Sequence, residues 1–190
     1  MKSKTIVMAG IPAVNKSLFQ AISFNVGDPT ALIRFMKPEG EHRLLILRDI
    51  EMARARSKAA ADVVACPAEY SPSSGLSGDR ETATAQAVAE CLAREGVQDI
   101  TSDRTLPLSF ADEIMKRGIG IEYDPDLGVL DRRQKGDREI EALREAQADT
   151  ETAIRMACET IAISKPDKSG VLHDNEGVLT SERVREMIDL

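Results

Sequence analysis

Between residues 81 and 123 helix-like and strand-like stretches alternate with almost nothing between them, and this rhythm restricts the fold more than any other feature. Ala83, Ala87, Val88, Cys91 and Leu92 recur at helical spacing over 81–95. Gly96 then stands where a left-handed residue ends a helix. A strand-like run follows at 97–101. Pro107 suits a first helical turn, Leu108, Ala111, Ile114 and Met115 make one face, and Gly118 closes that helix. Residues 119–123 are the next strand. Short connections between alternating elements are the mark of βαβ units, so the sheet they build is largely parallel.

Upstream, the pattern is that of an antiparallel pair. Residues 31–36 and 43–47 are apolar strands separated by the breaker-rich 37–41, as in a hairpin with a longer loop. A short helix is expected over 18–24, ending near Gly27, Asp28 and Pro29. Asp49 is placed to cap a helix through Lys58, and 62–66 forms a third apolar strand stopped by Pro67. The expected fold is therefore α/β, a mixed but largely parallel sheet flanked by helices.

Composition removes several functions. The formal charge is −7, opposite to the basic footprint of a nucleic-acid surface. Basic clusters at Arg54, Arg56, Lys58 and at Arg132, Arg133, Lys135 sit among acids and are read as solvated. Aromatics are 3% with no Trp, which argues against a base-stacking platform and leaves the core to small and aliphatic side chains. Cys66, Cys91 and Cys158 are odd in number and widely spaced, so a disulfide framework is not expected and a reducing cytoplasm fits. Cys91 and Cys158 fall on apolar helix faces and are expected to be buried, inert thiols. The apolar run 5–14 imitates a secretory leader, yet Gly10 and Pro12 break it and no cleavage site follows. No stretch reaches the roughly 20 apolar residues of a membrane span.

Chemistry-bearing groups are sparse. His42 lies between Glu41 and Arg43 at a strand edge and is expected to be exposed. His173 stands with Asp174 and Glu176 in a run closed by Gly177, the nearest approach to a metal-ligand cluster, but neighbours in one loop rarely converge on an ion without distant ligands. The loop 71–79, rich in Ser and Gly before a helix, sits where backbone amides can cradle phosphate, but it has neither a P-loop ending nor a dinucleotide fingerprint. No GxSxG elbow is present and neither histidine has a nucleophile beside it. No catalytic, cofactor-binding or metal-binding residue is assigned.

After Asp131 the composition changes. A long helix rich in Glu, Ala and Arg is expected over 137–162, then a polar loop over 164–177. A last helix begins at Thr180 or Ser181, with Val184, Met187 and Ile188 on one side. That apolar face needs something to lie against, and the ending is expected to be a truncation. Lys135, Glu139, Ile140, Leu143, Arg144 and Ala146 follow the spacing K-x3-E-I-x2-L-R-x-A. This run resembles the one that opens the catalytic domain of the pita-bread metallopeptidases, which include creatinase, prolidase and Xaa-Pro aminopeptidase. The layout is similar throughout, and 127–146 and 179–188 match best.

The resemblance implies a creatinase-like N-terminal α/β domain over 1–131 and the start of a catalytic domain over 132–190. It implies that the first domain does no chemistry, serves a homodimer and shapes the substrate entrance. It places two divalent ions (Mn, Co or Zn), held by two aspartates, a histidine and two glutamates, wholly in a part that follows residue 190. There the metals would activate a water against a proline-containing peptide. Two other readings stand beside it. One is a free-standing small-ligand or protein-interaction module with the 71–79 loop as its pocket. The other is a small enzyme using the carboxyl ends of the parallel strands.

Overall fold

The computed structural model describes residues 4–189. Two compact units divide the chain, Met1–Gln134 and Lys135–Leu190.

The first unit is built on strands β1 (Thr5–Gly10), β2 (Thr30–Lys37), β3 (Gly40–Ile46), β4 (Val63–Ala65), β5 (Asp99–Ser102) and β6 (Gly120–Tyr123), in the order β4-β3-β2-β1-β5-β6. Only β2 runs against the others, pairing Ile33 with Val7 on one side and with Leu44 on the other. The β3–β4, β1–β5 and β5–β6 pairs are parallel. The sheet is thus mixed and largely parallel, with a hairpin upstream of the βαβ units. The central strand β1 is the element the sequence hid. Thr5 to Ala9 are buried without alternation because both faces of β1 are covered, and such a run carries no period-2 signature.

Helices cover both faces. On one lie α3 (Arg80–Arg94) and α4 (Leu108–Lys116), whose Ala85, Val88, Leu92, Phe110 and Ile114 pack on Val7, Ile33, Ile46 and Ile100. On the other lie α1 (Lys16–Ile22) and α2 (Met52–Lys58), which set Leu18, Ile22 and Ala55 against Met8, Leu32 and Leu45. Gly96 and Gly118 have φ of +67° and +74°, as their positions after α3 and α4 require. Asp49 does not cap α2. It opens a 3₁₀ turn, Asp49–Glu51, and its carboxylate accepts from the amide of Ile50 instead. Pro107 sits one place earlier than the helical turn expected of it, as the N-cap of α4. A short α5 (Leu130–Arg133) ends the unit.

The second unit consists of α6 (Asp137–Ile163), the strands β7 (Lys165–Pro166), β8 (Leu172–Asp174) and β9 (Gly177–Val178), and α7 (Ser181–Ile188). The expected polar loop is therefore a small antiparallel meander, β7-β8-β9. Thr180 caps α7 by accepting from the amide of Arg183. Among the described residues from Lys135 onward none is buried. Leu143, Ile154 and Ile161 are exposed, and so is Cys158, contrary to the buried thiol expected there.

Candidate functional site

In a parallel sheet, ligands gather where strands end and connections splay apart. Here the carboxyl edge collects the segment after β1, the approach to β2, the segment after β3, the 71–79 loop and the segments after β5 and β6.

Asn15 organises the middle of that edge. As N-cap of α1 it accepts from the amide of Leu18 at 3.1 Å. Its Nδ2 donates to the carbonyl of Ala9 at 3.1 Å and to Thr105 Oγ1 at 2.8 Å, which fastens the β1–α1 connection to the β5–α4 connection. The Thr105 hydroxyl lies 2.8 and 2.9 Å from the carboxylate oxygens of Asp103 and donates to it, as does the Thr105 amide. Asp103 is only 5% exposed. Gly10 makes room for this arrangement. Its φ is +135°, and a Cβ there would lie 3.2 Å from Asn15 Nδ2.

Beside this clip, Asp28 on the approach to β2 receives Arg48 Nη1 at 3.0 Å and Arg80 Nη1 at 3.2 Å. Two guanidiniums thus share one carboxylate. Around these polar groups stand exposed aliphatic tips: Val14 at 75%, Ile50 at 64% and Leu108 at 80% exposure. An edge of this composition suits docking and charge steering. It offers no nucleophile–base pair.

The residues singled out from sequence do not join it as a reaction centre. His42 is half-exposed on β3, which lies inside the sheet order and not at its edge; its ring stacks on Phe35 and stands 3.8 Å from Asp62. His173 belongs to the second unit and contacts Asp167 at 3.3 Å. The other members of its run turn elsewhere: Asp174 takes both Nη atoms of Arg183, at 3.1 and 3.0 Å, and Glu176 takes Nη2 at 3.0 Å. Arg183 draws the Asp174 carboxyl below its usual range. The side chain and amides of Ser169 and Val171 draw Asp167 lower still. Among the described residues no group of three His, Cys, Asp or Glu side chains could hold a metal ion, so a resident metal does not fit these side chains.

Several amides of the 71–79 loop are already bonded, among them Gly75 N to the carbonyl of Pro72. Ser77 N donates to Gln86 Oε1 and Asp79 N to Ser77 Oγ. Asp79 caps α3 by accepting the Thr82 amide at 2.8 Å, which holds its carboxyl below the usual range. A carboxylate already sits where a phosphate would dock. Of the groups that matter at the carboxyl edge, only Asn15 carried a sequence signal, a cap residue before the apolar Leu18 and Ile22. Asp28, Arg48 and Arg80 carried none, because they pair across 20 and 52 positions, and the local Asp103–Thr105 turn gave no hint of its distant partner Asn15, 90 positions from Thr105.

No protein-family profile and no curated protein matches the chain. Solved structures do. Xaa-Pro dipeptidase from Bacillus anthracis superimposes with a TM-score of 0.66 at 16% identity, covering 98% of this chain and 43% of that one. Prolidase from Pyrococcus horikoshii OT3 gives 0.59 at 15% identity, covering 98% and 44%. X-Pro aminopeptidase from Thermotoga maritima MSB8 gives 0.58 at 16%, covering 89% and 44%. The fold of this chain is therefore one found in prolidases and Xaa-Pro aminopeptidases, and the chain spans less than half the length of each. No helix among the described residues is long and apolar enough to cross a membrane.

Proposed function

We propose that this polypeptide is the non-catalytic amino-terminal part of an Xaa-Pro aminopeptidase or prolidase-like metallopeptidase of the cytoplasm. The observation that carries the reading is the contrast between the two units. The first has two buried clusters and stands as a finished domain. The second has no buried described residue, yet it belongs to a fold shared over 98% of the chain with enzymes of which the chain spans under half. On this reading the first unit is the accessory domain and the second is the opening of the catalytic domain.

The accessory domain serves a homodimer and shapes the entrance for a proline-containing peptide. The carboxyl edge is suited to this, since Asp28 and its two arginines can steer charge and Val14, Ile50 and Leu108 can seat on a neighbouring surface. The paired divalent ions belong to the region still to come, and no step of the hydrolysis runs through residues named here. The gene is expected to read on in frame past codon 190 into a domain carrying two aspartates, a histidine and two glutamates. A stop codon directly after Leu190 overturns the reading. So does cleavage of Xaa-Pro peptides by the purified chain in the presence of manganese.

A further inference from the structure

Along α6, Ile140, Leu143, Gln147, Thr150, Ile154 and Ala157 recur at alternating steps of three and four, which are the a and d positions of a coiled-coil heptad. Leu143 and Ile154 are exposed, and so are the two polar members, Gln147 and Thr150. Ile140, Leu143, Arg144 and Gln147 border a shallow hollow of about 340 Å³. Four residues at this spacing form the hole that receives one side chain of a facing helix.

This stripe is complementary to itself when a second α6 runs antiparallel to it. Setting Leu143 opposite Ile154 of the second copy fixes every other layer. Gln147 then faces Thr150 and Ile140 faces the small Ala157, each pairing occurring twice about a twofold axis. The polar positions meet each other and not an apolar side chain. The Thr150 hydroxyl donates to the Ala146 carbonyl, which leaves its oxygen able to accept from Gln147. On the flank of the same seam Arg144 and Glu151 come side by side with opposite charge, again twice. Arg144 is 73% exposed and its contact with Glu141 is long, at 3.4 Å, so it can turn to the new partner. A parallel pair would instead stack Gln147 on Gln147 and set Glu151 beside Ala146. We propose that α6 is a self-association surface on which a second copy of this chain seats in antiparallel register. The inference concerns this polypeptide and does not rest on the peptidase reading; a covering layer in a longer chain would occupy the same stripe.

Sedimentation equilibrium of the full chain tests this. A seam this short, with polar residues at its centre, should give a dimer with a dissociation constant of about 100 µM. Leu143→Lys should weaken it about tenfold or more by placing a charge in the seam. Arg144→Glu and Glu151→Arg should each weaken it about tenfold, since like charges then meet twice, and the double exchange should restore the original value. All three side chains are exposed, and unchanged circular dichroism in dilute solution will report that the variants fold. Direction is read from nitroxides on exposed Cys158 in the Cys66→Ser background. In antiparallel register Cys158 of one copy stands level with Glu139 of the other, so the labels should lie about 30 Å apart; a parallel pair brings them to about 10–15 Å. The proposal is overturned by a monomer at about 1 mM, by association that Leu143→Lys leaves intact, by a double exchange that does not restore it, or by the short label distance. A monomer would leave the peptidase reading standing, and a stop codon directly after Leu190 would leave this one standing.

Discussion

Replacing Asn15 by alanine removes three bonds in one step, and the structure sets the cost of each. The cap on Leu18 N is worth about 1 kcal/mol. The bond donated to Ala9 is part-buried and worth about 1 kcal/mol net, while the more exposed one to Thr105 is worth about 0.5 kcal/mol. The total is about 2–3 kcal/mol, a large fraction of a domain stability of roughly 5–15 kcal/mol. Asn15→Ser divides this sum. Serine caps nearly as well but is too short to reach Thr105, so it should recover about 1 kcal/mol of the alanine loss.

Urea unfolding followed by tyrosine fluorescence isolates the relevant unit, because Tyr70 and Tyr123 both lie in the first unit and the chain has no Trp. With a slope of about 2 kcal/mol/M, the midpoint of Asn15→Ala should fall by about 1–1.5 M. A loss under about 0.5 kcal/mol, or serine no better than alanine, refutes the claim that this side chain fastens the carboxyl edge.

Four further outcomes follow from the same coordinates. Gly128→Ala should cost about 2–3 kcal/mol, since φ is +69° and the new Cβ would lie 2.8 Å from Ser17 Cβ; Gly96→Ala, equally left-handed but with nothing within 4 Å, should cost only about 1 kcal/mol in the same unfolding assay. At pH 8 a thiol reagent should label exposed Cys158 at once and Cys91 only on unfolding, because burial pushes the Cys91 thiol up to about 12; equal rates would contradict the packing. Asp167 and Asp174 have lowered folded-state pKa values, so their bonds stabilise the β7–β9 region above a free carboxyl pKa of about 3.9 and are lost as pH falls below it. The amide shifts of Ser169, Val171 and Glu176, which donate to these two carboxylates, should change in that acid window, and no change there would refute the assignment. In hydrogen exchange the amides of α6 should exchange far faster than those of β1, and protection of α6 in dilute monomer would count against the coreless second unit.

Helices with one wet face were the easiest elements to read in advance: α3 and α4 each turn one side to the core, and their apolar positions fell at the right spacing. β2 is buried on both faces at Leu32 and Ile33 and was legible from its apolar run and the breakers at 37–41 that bound it. β1 is covered on both sides, so its sequence lost the period and imitated a leader. Cys158 failed for the opposite reason. Helical spacing identifies an apolar stripe, but not whether the same polypeptide covers it, and the stripe of α6 is bare among the described residues. The meander at 165–178 was missed because strands of two or three residues carry no countable alternation. The carboxyl edge was least legible: Asp28 acquires its arginines from 20 and 52 positions away, through the topology of the sheet.

That bare stripe bears directly on what the second unit is. Local interactions along α6 are present but small: Gly136 N bonds Glu139, Arg144 pairs with Glu141, and Gln147 bonds Glu151. Such contacts contribute about 0.2–0.5 kcal/mol apiece, and helices in proteins draw most of their stability from a packed apolar face. A helix of 27 residues, about 40 Å long, that leaves Leu143, Ile154 and Ile161 exposed has not yet used its principal source of stability. The capping at Thr180 and the Arg183 clasp order the meander and α7 without burying anything either. Local order without a core is what the proposed function expects of α6 and α7, since on that reading the layer that covers their apolar faces belongs to a larger domain.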